Sequence, residues 1–156
     1  MIRKFHDAKV NNHSNVNLWG SGAPMREFLY VDDLASAVLF ALENMKGAEI
    51  LVPKIPSYKI IDLAKSIGPN CKIKVIGIRP GEKIHEEMIS ESDSFTTFDI
   101  GNYYIILPSQ NKSLIGRYKK FNIKKVLPNF RYASGTNSKF LNIKELRYLI
   151  KNYDKN

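Results

Sequence analysis

The run Arg79-Pro80-Gly81-Glu82 sets a guanidinium and a carboxylate at the two ends of a four-residue turn. Proline in second place and glycine in third write a type II turn, because glycine accepts the positive φ that the third position demands. A turn of this kind keeps the Cα atoms of its outer residues within about 7 Å. Arginine's planar fork matches phosphate oxygens and stays charged at any working pH. A carboxylate accepts hydrogen bonds from paired hydroxyls such as a ribose diol. The pair suits a nucleotide, with phosphate at Arg79 and sugar at Glu82; it also suits a local salt bridge joining a strand to a helix.

A second arginine bears on that choice. In VNLWGSGAPMREFLYVDD, Arg26 follows a Gly/Pro loop and precedes an apolar stretch. A pyrophosphate carries two charges, and two arginines from separate loops make a natural clamp. Trp19, the single tryptophan, stands beside the same loop. Its ring could pack against a base or sugar, or lie in the core. Other residues offer less chemistry. His6, His13 and His85 are scattered, and with one cysteine, Cys71, they assemble no convincing metal site. Asp32-Asp33 reads as helix capping rather than a carboxylate pair. Tyr103-Tyr104 reads as a strand with one ring in and one ring out.

These residues need elements to hold them. Residues 1–10 read as the end of a helix. Val16 to Trp19 is a short strand, broken by Gly20-Ser21-Gly22-Ala23-Pro24. A helix follows, capped at Asp32 or Asp33, with Leu34, Val38, Ala41 and Leu42 at helical spacing and a face wide enough to be buried. Glu49 to Val52 is a strand. Ser57 caps a second helix carrying Ile60, Leu63, Ala64 and Ile67, stopped by Gly68-Pro69. Lys72 to Ile78 is a strand leading into the Arg79 turn, and Glu82 to Ser90 a short helix. Tyr103 to Leu107 is another strand. Residues 108–140 resist assignment. Asn142 with Glu145 spells a capping box, and Leu141 with Leu146 a hydrophobic staple, at the start of a last helix. Strands alternating with helices give an α/β class with a small sheet.

The chain has 156 residues, 44% apolar and 25% charged, with a net charge of +9. This is ordinary for a soluble domain with its own core. No apolar run reaches the roughly 18 residues that a bilayer span needs. The single cysteine fits a reducing compartment, and the cytoplasm is the expected location. The charge is lopsided: residues 1–109 hold 12 Lys/Arg against 13 Asp/Glu, and residues 110–156 hold 12 against 2. The basic part, interleaved with Tyr118, Phe121, Phe130 and Tyr132, admits a nucleic-acid or anionic-membrane surface, although a solvated lysine-rich face explains it better.

At these residues the chain resembles the extended short-chain dehydrogenases/reductases that remodel nucleotide-activated sugars. Residues 1–44, with MIRKFHDAK and VNLWGSGAPMREFLYVDDLASAVLFALEN, look like the GDP-L-fucose synthase branch. Residues 45–150, with EILVPKIPSYKIIDLAKSIGP, KIKVIGIRPGEKIHEEMISESDSF, NYYIILPS and FRYASGTNSKFLNIKELRYLI, are similar to the polysaccharide-biosynthesis branch that includes the inverting UDP-N-acetylglucosamine 4,6-dehydratases. The resemblance implies a Rossmann domain binding NAD(P), with a smaller C-terminal α/β domain closing over the nucleotide-sugar. Residues 1–44 would then be the end of the core and a substrate loop, and residues 45–156 the small domain with a basic extension. Arg26 and Arg79 match arginines that meet phosphate, Glu82 the acid said to hold ribose, and Trp19 a substrate-side tryptophan of the fucose synthase branch.

The chain also departs from the family. The cofactor cradle needs a glycine-rich strand–turn–helix, and Gly20 and Gly22 have no third partner. Four residues past each tyrosine there is no lysine, so the Tyr-x-x-x-Lys pair is absent as well. The expectation is a C-terminal half that grips a nucleotide-sugar, UDP-linked by preference and GDP-linked as the alternative. It would bind no cofactor itself and would associate with a Rossmann-domain chain or with copies of itself.

Overall fold

The computed structural model describes residues 1–78, 80–81 and 83–153. In chain order the elements are α1 Ile2–Val10, β1 Asn15–Leu18, β2 Met25–Glu27, α2 Val31–Asn44, β3 Ile50–Pro53 and β4 Ser57–Lys59. They continue with α3 Ile60–Ile67, β5 Lys72–Val75, β6 Glu87–Ile89, β7 Thr97–Asp99 and β8 Tyr103–Ile106. The last are α4 Lys112–Arg117, β9 Lys124–Lys125, β10 Tyr132–Ala133 and α5 Ile143–Tyr153. This is the expected α/β class, with several small sheets.

Two compact units interleave along the sequence. The first holds residues 1–27, 56–86 and 137–156, and the second residues 28–55 and 87–136. In the first, β1 pairs parallel with β5 and β2 pairs antiparallel with β4. Its core is Phe5, Ala8, Val16, Leu18 and Ala64, with Ile61, Ile67 and Ile73 against them. The turn after α3 lies so close to α1 that a Cβ on Gly68 would sit 2.5 Å from the Phe5 ring. Helix α5 opens on the expected capping box: Asn142 N–H donates to Glu145 Oε2 at 2.8 Å, and Glu145 N–H donates to Asn142 Oδ1 at 3.1 Å.

The second unit is built on a four-stranded sheet in the order β3-β8-β7-β9, antiparallel throughout. Both faces carry a core. Phe98, Ile100, Ile105, Leu107 and Tyr118 are buried together, and Val52, Ile89 and Tyr132 form another cluster. The adjacent Tyr103 and Tyr104 divide between these clusters, so both rings are packed rather than one in and one out. Tyr118, Phe121, Phe130 and Tyr132 also belong to the cores. A row of rings free to stack on bases is therefore not what the basic segment presents.

Other local expectations are corrected. Ser57 does not cap a helix. It lies fully buried in β4, with its N–H donating to Lys139 O at 2.9 Å and its carbonyl accepting from Leu141 N–H at 2.8 Å. Asp32 and Asp33 sit in the first turn of α2, while Tyr30 occupies the cap without a side-chain bond. Residues 87–89 are a strand, not part of a helix, because Ile89 pairs with Tyr132 and Glu87 with Ala133. Short apolar runs are ambiguous in sequence, and here a distant strand decides. In α2 only Ala37 is buried, so its wide apolar face is not covered.

Candidate functional site: an arginine seated on the loop at 83–86

Strand β2 carries the site. Its register sets Arg26 opposite Tyr58 and Glu27 opposite Ser57. Met25 N–H donates to Ile84 O at 3.1 Å, which lays the segment after the Arg79 turn along the strand. The Arg26 guanidinium then takes up the same segment. Nη2 donates to Lys83 O at 2.9 Å and Nη1 to Ile84 O at 3.3 Å, while Nη1 also reaches Met25 O at 2.9 Å. Nε lies 3.5 Å from Glu86 Oε1. A rigid fork with several donors can bridge three carbonyls and a carboxylate in this way; an ammonium would meet them singly.

The loop bearing Trp19 joins the same unit from the other side. Gly20 N–H donates to Gly77 O at 2.5 Å, and Ile76 N–H to Leu18 O at 3.0 Å. Ile61 N–H and Ile60 N–H donate to Gly22 O and Pro24 O at 3.2 and 3.1 Å, so the start of α3 holds the loop in place. Trp19 itself is 41% exposed and is not a core tryptophan. Gly81 has φ of +79°, the value a type II turn requires at its third residue. Arg79 and Glu82, the outer residues of that turn, lie outside the described residues. Of the four residues picked from the sequence, the structure therefore brings Trp19 and Arg26 to the segments that flank the turn.

One group went unnoticed in the sequence. Both carboxyl oxygens of Glu27 are buried with no hydrogen-bond partner among the described residues. Burial, helped by the charge of Glu86, pushes this carboxyl up to about 7. Across the strand pair, burial also raises the Tyr58 hydroxyl, with Arg26 partly opposing the shift. Next to an arginine, a glutamate reads as surface charge, and only the fold reveals that it is buried.

The second unit has its own buried carboxylate, of a different kind. Glu49 accepts from Tyr118 Oη at 3.1 Å and from Arg117 Nη1 at 3.2 Å. Burial and the Glu49 charge push the Tyr118 hydroxyl up to about 12. This trio ties the end of α4 to the entry of β3. It is a structural contact within the cores.

A dinucleotide cradle has no counterpart among the described residues. Strand β1 leads through Gly20 and Gly22 into strand β2 and not into a helix whose N-terminus could face a pyrophosphate. No group of three or more His, Cys, Asp or Glu side chains among the described residues is placed to hold a metal ion. Among the same residues no helix is long and apolar enough to cross a membrane.

The fold is shared with Pen from Bacillus thuringiensis, whose X-ray structure superposes with a TM-score of 0.77 at 24% identity, covering 99% of this chain and 46% of that one. The chain is 42% identical over 132 residues to the inverting UDP-N-acetylglucosamine 4,6-dehydratase of Campylobacter jejuni subsp. jejuni serotype O:23/36 (strain 81-176), covering 80% of this chain and 39% of that protein. It is 53% identical over 49 residues to the probable GDP-L-fucose synthase 1 of Oryza sativa subsp. japonica, covering 31% of this chain and 15% of that protein. Residues 4–108 match the family of polysaccharide biosynthesis proteins, and the chain belongs to that family. It spans well under half the length of these curated relatives.

Proposed function

We propose that this chain is the nucleotide-sugar-binding portion of a UDP-N-acetylglucosamine 4,6-dehydratase-like enzyme of surface-polysaccharide biosynthesis, inactive by itself and cytoplasmic. Residues 1–44 are the end of the core with a substrate loop, and residues 45–156 the small α/β domain that grips the nucleotide. Arg26 and Arg79 take the pyrophosphate, Glu82 the ribose hydroxyls, and Trp19 packs against the base or sugar. NAD(P) belongs to a Rossmann portion that this sequence does not contain, since neither a glycine-rich cradle nor a Tyr-x-x-x-Lys pair occurs in it.

The observation that carries this reading is the seating of the Arg26 guanidinium on the carbonyls of Lys83 and Ile84, directly after the Arg-Pro-Gly-Glu run. This brings Arg26 to the segment that follows Arg79 and Glu82 in the sequence. That is what a diphosphate clamp requires and what a local Arg79–Glu82 salt bridge does not. Calorimetric titration of UDP and of UDP-N-acetylglucosamine into wild type and Arg79→Ala tests it. Binding by wild type that drops at least tenfold in the variant is expected; equal, negligible binding by both rejects the site.

A second reading, a GDP-L-fucose synthase-like fragment, draws on the 53% identity over 49 residues. GDP in the same titration separates the two. Tighter binding of GDP than UDP favours the second.

A further inference from the structure

The basic segment of the second unit separates into charges engaged by the fold and charges left to solvent. Residues 110–136 hold five lysines, two arginines and no Asp or Glu. Both arginines are engaged: Arg117 Nη1 lies 3.2 Å from Glu49 Oε1, and Arg131 Nε 2.7 Å from Glu87 Oε1. Lys112, Lys119, Lys120, Lys124 and Lys125 are exposed, and none has a carboxylate partner among the described residues. Lys125 donates to Gln110 Oε1 at 3.2 Å, and the Lys120 ammonium lies 4.8 Å from the Phe121 ring centroid.

Local structure keeps these lysines together. Lys112 opens α4, a helix of six residues and about 9 Å. Lys119 and Lys120 follow its end, and Asn122, in the left-handed conformation, leads into β9 with Lys124 and Lys125. Lysines on an edge strand such as β9 also discourage strand addition, but Lys112, Lys119 and Lys120 lie off the strand and answer no such need. Directly after β9, Leu127 is 78% exposed. Val126 N–H donates to Thr97 O at 3.3 Å and Phe130 N–H to Leu127 O at 3.2 Å, so the backbone holds this leucine in place. Phe95, 57% exposed, accepts at its carbonyl from Gln110, the residue that Lys125 meets. Two apolar side chains thus stand beside the ammonium groups.

That combination discriminates between anionic partners. A nucleic acid is held by free rings that stack on bases and by arginine forks on phosphates, and here the rings lie in the cores and the arginines are paired. An anionic bilayer needs diffuse positive charge on flexible stems, with apolar side chains that enter the headgroup layer. We propose that residues 112–127, with Phe95, form a docking surface for an anionic phospholipid bilayer, on which the lysines meet the headgroups and Leu127 enters between them. This goes beyond nucleotide binding and does not depend on it.

The test sediments the full 156-residue chain with vesicles of phosphatidylcholine alone and of phosphatidylcholine mixed with phosphatidylglycerol. Wild type should sediment with the mixed vesicles only, and less as salt is raised. Each lysine near an anionic surface strengthens binding about fivefold, so Lys119→Gln/Lys120→Gln should weaken it about 25-fold. Leu127→Ser should weaken it about fivefold. Lys4→Gln/Lys9→Gln, which removes the same charge from α1 in the other unit, should leave it unchanged. All these positions are exposed, and circular dichroism should show the variants folded as wild type. Equal sedimentation with both vesicles, none with either, or wild-type binding by Lys119→Gln/Lys120→Gln overturns the proposal. So does an equal loss in Lys4→Gln/Lys9→Gln, because net charge alone would then act. A single-stranded RNA bound more tightly than the mixed vesicles also overturns it, since the partner would then be nucleic acid.

Discussion

The two units each bury carboxyl oxygens and answer them to different degrees. In the second unit Oε1 of Glu49 is answered by Tyr118 and Arg117, while its Oε2 has no hydrogen-bond partner among the described residues. In the first unit neither carboxyl oxygen of Glu27 has a hydrogen-bond partner among the described residues, while the adjacent Arg26 spreads its donors over a loop and a second glutamate. Satisfied polar groups stabilise a fold, whereas unsatisfied ones persist where the surroundings over-determine them and tend to coincide with function. On the proposed reading this contrast makes the second unit scaffold and the first the site. Substitutions should accordingly separate into those that change stability and those that change binding.

The largest effect is expected at Glu49. Glu49→Ala strands Arg117 and removes the acceptor of a buried hydroxyl, and should lower unfolding free energy by about 3 kcal/mol. Urea melts measure this, while UDP affinity of the folded protein should stay at the wild-type value. A parallel loss of affinity would break the division of labour. Next comes Arg26→Ala, which should weaken UDP by about 2 kcal/mol, or roughly 30-fold. Arg26→Lys should recover only part of that, since the ammonium keeps the charge and loses the fork. Affinity that survives Arg26→Ala would move the site elsewhere.

Smaller effects sharpen the picture. Tyr118→Phe deletes one hydroxyl and should lower stability by about 1 kcal/mol without touching UDP binding. Glu27→Gln probes the unanswered carboxyl through pH. The folded value of about 7 lies above the ordinary 4.5, so the folded state holds this proton more tightly than the unfolded chain. Its contribution is complete below pH 4.5, declines as pH rises from there through 7, and is gone above. After allowance for partial solvation, Glu27→Gln should be more stable than wild type at about pH 8 by roughly 1 kcal/mol. Near pH 4.5 the two should match. Melts that show the same difference at both pH values would contradict the buried-carboxyl assignment.

How much could be read without the fold depended on how local the signals were. Helices α1, α3 and α5 announce themselves through 3.6-residue spacing, and for α5 through its capping box, because those interactions close within a few residues. Strands β6, β9 and β10 do not, since their partners come from distant segments and nothing within three residues can specify a ladder. Helix α2 shows another limit. Its periodicity reveals an apolar face, yet only Ala37 on it is buried, because coverage is set by what packs against a helix and not by its own spacing. At the site, Arg26 and the Pro-Gly turn were legible from residue chemistry, while the Arg26–Glu86 ion pair was hidden by a helical pattern that tertiary pairing overrode. Glu27 carried no signal in the sequence, because burial of a charged residue is a property of the packing around it.

The most direct test follows backbone amides and the Trp19 indole by nitrogen-15 NMR while UDP is added to the intact chain. The account predicts shifts concentrated at Trp19, Arg26 and residues 76–86, with the second unit quiet. Shifts confined to the basic stretch 110–136, with Arg26 and Trp19 unmoved, would contradict it.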